Sequence, residues 1–131
     1  MGSRAAGNLY GAASNNGDGP HHGVVFKLDS SGQYTVLHNF DGGGGRLPVG
    51  GLARDASGNL YGTCLAGGDL DEGTAFMITS QGKFKLLHTF SGRDGSNPQG
   101  RVTLDGSGNV YGTTYGGGAF NFWGTVFKIT P

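Results

Sequence analysis

The chain has 131 residues, enough for one domain with a modest core. Charged residues make up 14% of it, and nine basic side chains balance nine acidic ones, so it lacks the basic stripe of a nucleic-acid-binding protein. No apolar run approaches the roughly 20 residues that span a bilayer, and no signal peptide is recognisable.

Glycine-containing motifs recur at a constant spacing. The motif Gly-Asn-(Leu/Val)-Tyr-Gly begins at Gly7, Gly58 and Gly108, so its copies lie 51 and 50 residues apart. A second motif, Gly-x-x-Phe-x-(Leu/Ile), keeps the same period and begins at residues 23, 73 and 124. Glycine supplies 29 residues in all, and because most recur in register they indicate turns and bulges rather than low complexity. The chain is therefore a tandem repeat.

Each full period of about 50 residues contains four strand-like runs, here called strands a, b, c and d. In chain order the predicted strands are residues 8–12 (b), 24–28 (c), 34–40 (d), 51–54 (a), 59–63 (b), 74–78 (c), 84–90 (d), 101–104 (a), 109–113 (b) and 125–129 (c). No segment has helical spacing over three turns, so the predicted fold class is all-β. The first copy is expected to lack strand a, and the third to lack strand d.

The connections between the strands are of two kinds. Strands a and b are joined by short turns such as residues 55–59, and strands c and d by turns such as residues 79–82. The b–c and d–a connections are long, and the b–c loop differs most between copies. In an antiparallel meander the connections alternate between the two ends of the strands, so both long loops lie at one end. Binding residues are concentrated in such loops when a rigid scaffold displays them.

Four antiparallel strands in each unit of about 50 residues are typical of a β-propeller blade. We expect a single repeat domain over residues 1–131, with about two and a half copies in blades at residues 4–47, 48–97 and 98–131. Propellers have roughly four to eight blades, so the chain is either a piece of a longer propeller or a partial propeller completed by self-association. We favour a homo-oligomer, with a dimer closing the ring. Its expected interface is on the last strand, at Val126, Phe127 and Ile129.

The third b–c loop contains an aromatic-rich run, Phe120, Asn121, Phe122 and Trp123. Aromatic rings can stack on a sugar ring while an amide bonds a hydroxyl group, so one interpretation of this run is a carbohydrate-binding platform. The interpretation that we favour is packing, in which the same rings cover an open blade edge or fill a contact between subunits.

The other two b–c loops carry candidate ion ligands: His21, His22 and Asp18 in the first copy, and Asp69, Asp71 and Glu72 in the second. The first group could bind a metal ion or an anionic ligand, and the second could supply oxygen ligands to calcium. We favour a solvated loop tip for both groups, because neither has the spacing of an established metal motif. Two histidines at one repeated strand position, His38 and His88, and the single cysteine, Cys64, are expected to be structural.

The order of the motifs is similar to that of a known repeat family. Gly-Asn-Leu-Tyr-Gly-Thr-Thr, a Gly-Gly doublet, Gly-Thr-Val-Phe-Lys-Ile and Leu-His-x-Phe resemble the Gloeo–Verruco (GloVer) tandem repeat of bacterial proteins, best over residues 108–131. The strand phasing also resembles NHL-type and kelch-type propeller blades. The resemblance implies an exported or cell-surface protein, and it brings no reaction, catalytic residue or cofactor.

We therefore expect a non-catalytic β-propeller module for assembly or ligand display at a bacterial surface. The second hypothesis is a lectin-like module that binds carbohydrate through its b–c loops. The third is a propeller hydrolase or lyase, which would need convergent carboxylates or a metal that no motif of the sequence supplies. No cofactor, nucleic-acid partner or membrane span is predicted.

Overall fold

The computed structural model describes residues 2–5, 7–14, 22–119 and 123–131. Within these residues the chain forms strands and no helix. In chain order the strands are β1 (Gly2–Ala5), β2 (Asn8–Ala13), β3 (Val24–Leu28), β4 (Tyr34–Asn39), β5 (Leu52–Arg54), β6 (Leu60–Cys64), β7 (Thr74–Ile78), β8 (Phe84–Thr89), β9 (Thr103–Leu104), β10 (Val110–Thr114) and β11 (Thr125–Ile129). The expected all-β fold class is confirmed, and the described part of the chain contains no helix able to cross a membrane.

The strands form three antiparallel sheets that follow one another along the chain. β1–β4 form the first sheet, β5–β8 the second and β9–β11 the third, and in each sheet the spatial order of the strands is their sequence order. In both four-stranded sheets the last pair carries the same irregularity in register, between Val25 and Phe26 and between Ala75 and Phe76. A β-bulge at this position re-aims the following side chain. The repeat seen in the sequence is thus repeated in the backbone.

The first sheet corrects the prediction that the first copy lacks strand a. β1 pairs antiparallel with β2, and it begins at residue 2 rather than within the expected blade that starts at residue 4. Its register is also shifted, because Arg4 faces Leu9 where the repeat would place Ser3, as Arg54 faces Leu60 in the second sheet. The sequence did not predict β1 because this segment has no alternation of apolar and polar residues.

Neighbouring sheets pack face to face through two apolar interfaces, here called the first and second seams. The first seam, between the first and second sheets, buries Val25, Phe40, Leu52, Leu60, Cys64, Phe76 and Ile78. The second seam, between the second and third sheets, buries Tyr61, Val102 and Val110, and partly buried residues including Phe127 and Ile129 pack against them. The second sheet therefore has both faces covered by described residues, and its strand β6 is buried along its whole length. In each outer sheet, the described residues cover one face.

Candidate functional site

The two ends of the strands are built differently. At the short-turn end, the loops that lead into β6 and β10 are closed by the same carboxylate clamp. Asp55 accepts hydrogen bonds from the backbone N–H groups of Ser57 and Asn59, both at 2.9 Å, and from the side chains of Asn59 and Tyr61, both at 3.0 Å. Asp105 repeats all four bonds to the equivalent residues, at 2.8–2.9 Å. The short-turn end of the molecule therefore has a structural role, which is to hold the turns closed.

Hydrogen bonding keeps these clamp carboxylates ionised. The pKa of Asp105 is held well below its usual range, chiefly by the side chain and then the backbone N–H of Asn109. At Asp55 burial acts in the opposite direction, yet the hydrogen bonds from Asn59 and Tyr61 outweigh it and the pKa is again lowered. A carboxylate whose oxygens already accept four hydrogen bonds is a poor general acid or base. We assign both aspartates a structural role.

At the long-loop end, one repeated position carries three different side chains. His22, Glu72 and Trp123 each immediately precede the glycine that comes directly before a strand c. The carbonyls of His22 and Glu72 accept equivalent hydrogen bonds, from the N–H of residue 47 at 2.9 Å and of residue 97 at 2.8 Å. Their side chains also lie over equivalent glycines, because a Cβ built on Gly42 or Gly92 would be 3.6 Å from His22 Nε2 or Glu72 Oε1. One backbone framework thus presents different chemistry in successive repeats.

A cleft of about 500 Å³ opens at this same end, between the second and third repeats. It is lined by Glu72, Ser91, Gly92, Arg93, Gly118 and Ala119. The carboxylate, the hydroxyl and the guanidinium offer hydrogen-bond acceptors and donors around an open space. Three of the lining residues, Ser91 to Arg93, belong to the d–a loop, where the sequence favours a solvated Arg93 over one that contacts a ligand and marks neither Ser91 nor Gly92. Only the alternation of connections in an antiparallel meander could have identified these residues, because it places the d–a and b–c loops at the same end of the strands.

The acidic tip of the second b–c loop is tied to the scaffold. Arg46 donates two hydrogen bonds to Asp71, Nε to Oδ1 at 3.1 Å and Nη2 to Oδ2 at 3.0 Å. Asp71 also accepts the N–H of Gly67 at 2.7 Å, and these bonds, led by that of Arg46, lower its pKa. Asp69 and Glu72 flank it. Among the described residues no group of three His, Cys, Asp or Glu side chains is arranged to hold a metal ion.

Several predicted ligand-binding residues, Asp18, His21, Phe120, Asn121 and Phe122, lie outside the described residues. His22 and Trp123 are described, and 83% of the Trp123 surface is exposed. A second aromatic side chain at this end, Tyr115, is 77% exposed and was not predicted. Tyr115 directly follows β10, at the position that Leu65 occupies in the preceding repeat. In the sequence, only its aromatic side chain could have marked it as a candidate binding residue.

The two strand histidines lie in the seams, as expected of structural residues, but they have different partners. His38 stacks on Phe84 with ring centroids 3.8 Å apart and planes within 5°. Burial lowers the pKa of His38, and the nearby charge of Asp41 partly opposes that shift. His88 instead places Nε2 2.7 Å from Asp94 Oδ2, and its ring meets the edge of Phe90 at 4.7 Å.

Cys64 is fully buried on β6, as predicted. Burial raises the pKa of its thiol to about 12, and a hydrogen bond with Thr74 acts weakly in the opposite direction. The third repeat has two threonines at these positions, and Thr114 Oγ1 lies 2.8 Å from Thr125 Oγ1. A thiol that stays protonated at neutral pH is a poor nucleophile, so Cys64 acts as a small packing residue.

The three residues of the predicted subunit interface lie in different environments. Phe127 contacts Phe90 within the second seam, with ring centroids 5.2 Å apart, and Ile129 packs in the same seam. Val126 points to the other face of β11 and is 82% exposed. Of the three, Val126 is the residue whose side chain remains available to a second molecule.

The repeat that builds both ends of the sheets has a counterpart among known protein families. The sequence model of the Gloeobacter/Verrucomicrobia repeat matches residues 2–131. The chain belongs to this family. A comparison with curated proteins finds no match. Family membership confirms the resemblance of the motifs in this Gloeobacter/Verrucomicrobia repeat protein.

Proposed function

We propose that the chain is a non-catalytic repeat module of the β-propeller type that displays ligand-binding side chains at its long-loop end, in an exported or cell-surface setting. The observation that carries the proposal is the position shared by His22, Glu72 and Trp123. The backbone around the first two is held by equivalent hydrogen bonds, whereas the side chains differ in charge and shape. Variation on a constant scaffold is the usual arrangement of a binding surface.

The propeller type is supported by the way in which the repeats stack. Each described sheet is an antiparallel meander, and successive sheets pack face to face through seams with equivalent aromatic pairs, Phe40 with Phe76 and Phe90 with Phe127. A blade in a propeller is covered on both faces in this manner. The outer faces of the first and third sheets would then be covered by a second copy, which completes the ring as a dimer.

Light scattering tests the assembly proposal. We expect the protein to be a dimer at micromolar concentration, and Val126→Asp to release monomers because it places a charge on the exposed face of β11. Leu70→Asp is the matched control, since Leu70 is also exposed but lies at a loop tip. A wild-type protein that stays monomeric and well folded at high micromolar concentration would contradict dimer formation.

Carbohydrate is the ligand class that the long-loop end favours. The cleft offers the polar side chains of Glu72, Ser91 and Arg93, and Trp123 and Tyr115 expose aromatic faces at the same end. Sugars are bound by polar groups placed beside aromatic rings. A glycan array should therefore detect binding that Arg93→Ala and Trp123→Ala weaken, while Tyr34→Ala, a half-exposed tyrosine next to a short turn, leaves it unchanged. Equal effects of all three variants would contradict a site in these loops.

A further inference from the structure

The d–a loops of the first and second repeats are closed by carboxylates at different positions. In the first loop, Asp41 accepts the N–H of Gly44 at 3.1 Å. In the second loop the carboxylate belongs to Asp94, which occupies the position of Gly44, and it accepts the N–H of Ser91 at 2.8 Å. Ser91 in turn occupies the position of Asp41. The two loops are therefore closed from opposite ends, and only the second loop begins with a hydroxyl group.

The carboxylate of Asp94 accepts three hydrogen bonds. Besides the N–H of Ser91, its Oδ1 atom accepts the hydroxyl proton of Ser91 at 3.0 Å, and its Oδ2 atom lies 2.7 Å from Nε2 of His88 on β8. Burial acts to raise the pKa of Asp94, but the hydrogen bonds from Ser91 and His88 outweigh it and lower the pKa. An ionised carboxylate can only accept hydrogen bonds, so the protons in these bonds belong to Ser91 and His88.

This arrangement fixes the hydrogen-bonding role of Ser91. A hydroxyl group has one proton and two lone pairs, and when it is free to rotate it can donate or accept. The Ser91 proton is directed at Asp94, and one lone pair receives a longer bond of 3.4 Å from the N–H of Asp94. Only the second lone pair remains. Ser91 therefore meets a molecule in the loop cleft as an acceptor.

The cleft that Ser91 lines contains one further acceptor and one donor, Glu72 and Arg93. The Glu72 carboxylate lies over Gly92, between Ser91 and Arg93 in the chain, because a Cβ built on Gly92 would be 3.6 Å from Glu72 Oε1. A carboxylate accepts hydrogen bonds, and a guanidinium group only donates them. Within the described residues neither Glu72 nor Arg93 takes part in an ion pair. A ligand that fits the cleft therefore donates to Ser91 and Glu72 and accepts from Arg93.

We infer that Asp94, held in place by His88, is a positioning residue that makes the cleft selective for a saccharide whose hydroxyl group donates a hydrogen bond to Ser91. Neither Asp94 nor His88 lines the cleft, so both act through the orientation of the Ser91 hydroxyl. A site built to bond a ligand hydroxyl rejects analogues that lack it, because its own polar group is then left unpaired. The inference rests on the proposed carbohydrate site, and it adds the polarity that the site recognises and the residue that sets this polarity.

The test uses the full chain and the methyl glycosides of glucose, galactose and mannose, together with the monodeoxyfluoro analogues of each. Fluorine takes the place of a hydroxyl group but has no proton to donate. NMR titration gives the dissociation constants, and the readout is the ratio of the fluoro value to the hydroxyl value at each ring position. For the wild type we expect a ratio of roughly ten or more at the ring position that meets Ser91. Ser91→Ala should bring the ratio at that position to about one.

Variants of Asp94 separate the orientation of Ser91 from support of the loop. Asp94→Ala frees the Ser91 hydroxyl to turn and donate toward fluorine, so the ratio should fall at least about threefold. His88→Ala should lower it less, because Asp94 keeps its bonds to Ser91. Asp94→Asn should retain the wild-type ratio, since its amide oxygen can still accept the Ser91 proton. The matched control is Asp41→Ala, which removes the loop-closing carboxylate of the first repeat and should leave the ratio unchanged.

The ratio distinguishes orientation from a loss of loop structure, which would weaken the glycoside and its fluoro analogue alike. An unchanged ratio in Asp94→Ala, or a wild-type ratio near one at every ring position, would overturn the inference while the carbohydrate site stands. Absence of binding by every glycoside would also overturn it. The proposed carbohydrate function itself is contradicted only if the glycan array is negative as well.

Discussion

The two seams contain equivalent aromatic pairs, but the first seam is more completely buried than the second. Phe40 and Phe76 have ring centroids 5.1 Å apart at an interplanar angle of 65°, and Phe90 and Phe127 have values of 5.2 Å and 63°. Around this pair the first seam adds the ring of Phe84 and a larger set of buried aliphatic residues, whereas the second seam is open along β11. The difference indicates that strand d, more than the aromatic pair, determines how completely a seam excludes water.

The largest expected effect comes from removing one ring of each pair. Phe76→Ala should lower the free energy of unfolding by about 3–5 kcal/mol, because Phe76 is 1% exposed and its removal leaves a closed cavity. Phe127→Ala should cost about 1–2 kcal/mol, since Phe127 is only partly buried and water already reaches one side of it. Urea denaturation measures both values. Equal losses would mean that the second seam is as well packed as the first.

Two glycines packed under these rings allow a test of how freely each ring can move. A Cβ at Gly62 would lie 2.8 Å from Phe76 Cζ and 3.1 Å from Leu52 Cδ2, and a Cβ at Gly112 would approach Phe127 even more closely. Phe76 is surrounded and cannot move, so Gly62→Ala should cost about 1–3 kcal/mol through overpacking. Phe127 can shift into an open space of about 320 Å³ that it lines together with His88 and Phe90, so Gly112→Ala should cost less despite the closer initial contact. A larger loss for Gly112→Ala would show that Phe127 is held rigidly.

Much of this architecture could be predicted from the sequence, because repeats reveal what they share. The period located β2, β6 and β10 and the short clamp turns from glycine, asparagine and tyrosine at fixed spacing. It did not reveal β1, in which the clamp aspartate is replaced by Arg4 and the register is shifted. A repeat argument detects similarity, so it fails where one copy departs from the others.

The candidate site was predicted less completely, for a different reason. Comparison of the repeats identified the position of His22, Glu72 and Trp123 as variable. It did not identify Ser91 and favoured a solvated Arg93, because the cleft is formed between successive repeats rather than within one. The face of β11 presents the same difficulty: the sequence marks Phe127 as apolar, but contact with the neighbouring sheet and contact with a second molecule produce the same pattern.

His38 is the strand histidine whose burial links the stability of the fold to pH. The pKa of His38 in the folded protein lies below the ordinary histidine value of 6.5, because burial disfavours the charged ring. As the pH falls, His38 therefore takes up a proton more readily in the unfolded chain than in the folded protein. The stabilisation that depends on neutral His38 is complete above the pKa that this residue has in the unfolded chain. It declines as the pH drops through about 6.5 toward the folded pKa.

The corresponding prediction is a loss of thermal stability between about pH 7.5 and pH 5.5 that His38→Phe reduces. The phenyl ring retains the stacking on Phe84 and removes the titration. His38→Ala should also lower the melting temperature more than His22→Ala at either pH, because an aromatic contact in a seam contributes about 0.5–1.5 kcal/mol. Differential scanning fluorimetry is sufficient for this test. Identical pH profiles for wild type and His38→Phe would show that another group controls the acid response.

The smallest expected effect concerns the d–a loops that enter the two seams. Leu47 and Asn97 occupy equivalent positions with φ angles of 59° and 55°, in the left-handed region. Their backbones make equivalent bonds, since the carbonyl of Leu47 accepts the N–H of Leu65 at 2.9 Å and that of Asn97 accepts the N–H of Tyr115 at 3.1 Å. Asparagine tolerates this conformation better than leucine. The Asn97 side chain also donates a hydrogen bond to the carbonyl of Leu65 at 3.0 Å.

Leu47→Asn should therefore stabilise the protein by about 0.5–1 kcal/mol, by relieving backbone strain and by adding a hydrogen bond to the carbonyl of the equivalent residue, Ser14. The reciprocal variant, Asn97→Leu, is the matched control and should destabilise the protein by at least as much, since it adds strain and removes an existing bond. Urea denaturation of both variants and of the double variant gives the two contributions separately. If Leu47→Asn proves destabilising, the half-buried leucine side chain contributes more to the first seam than its backbone conformation costs.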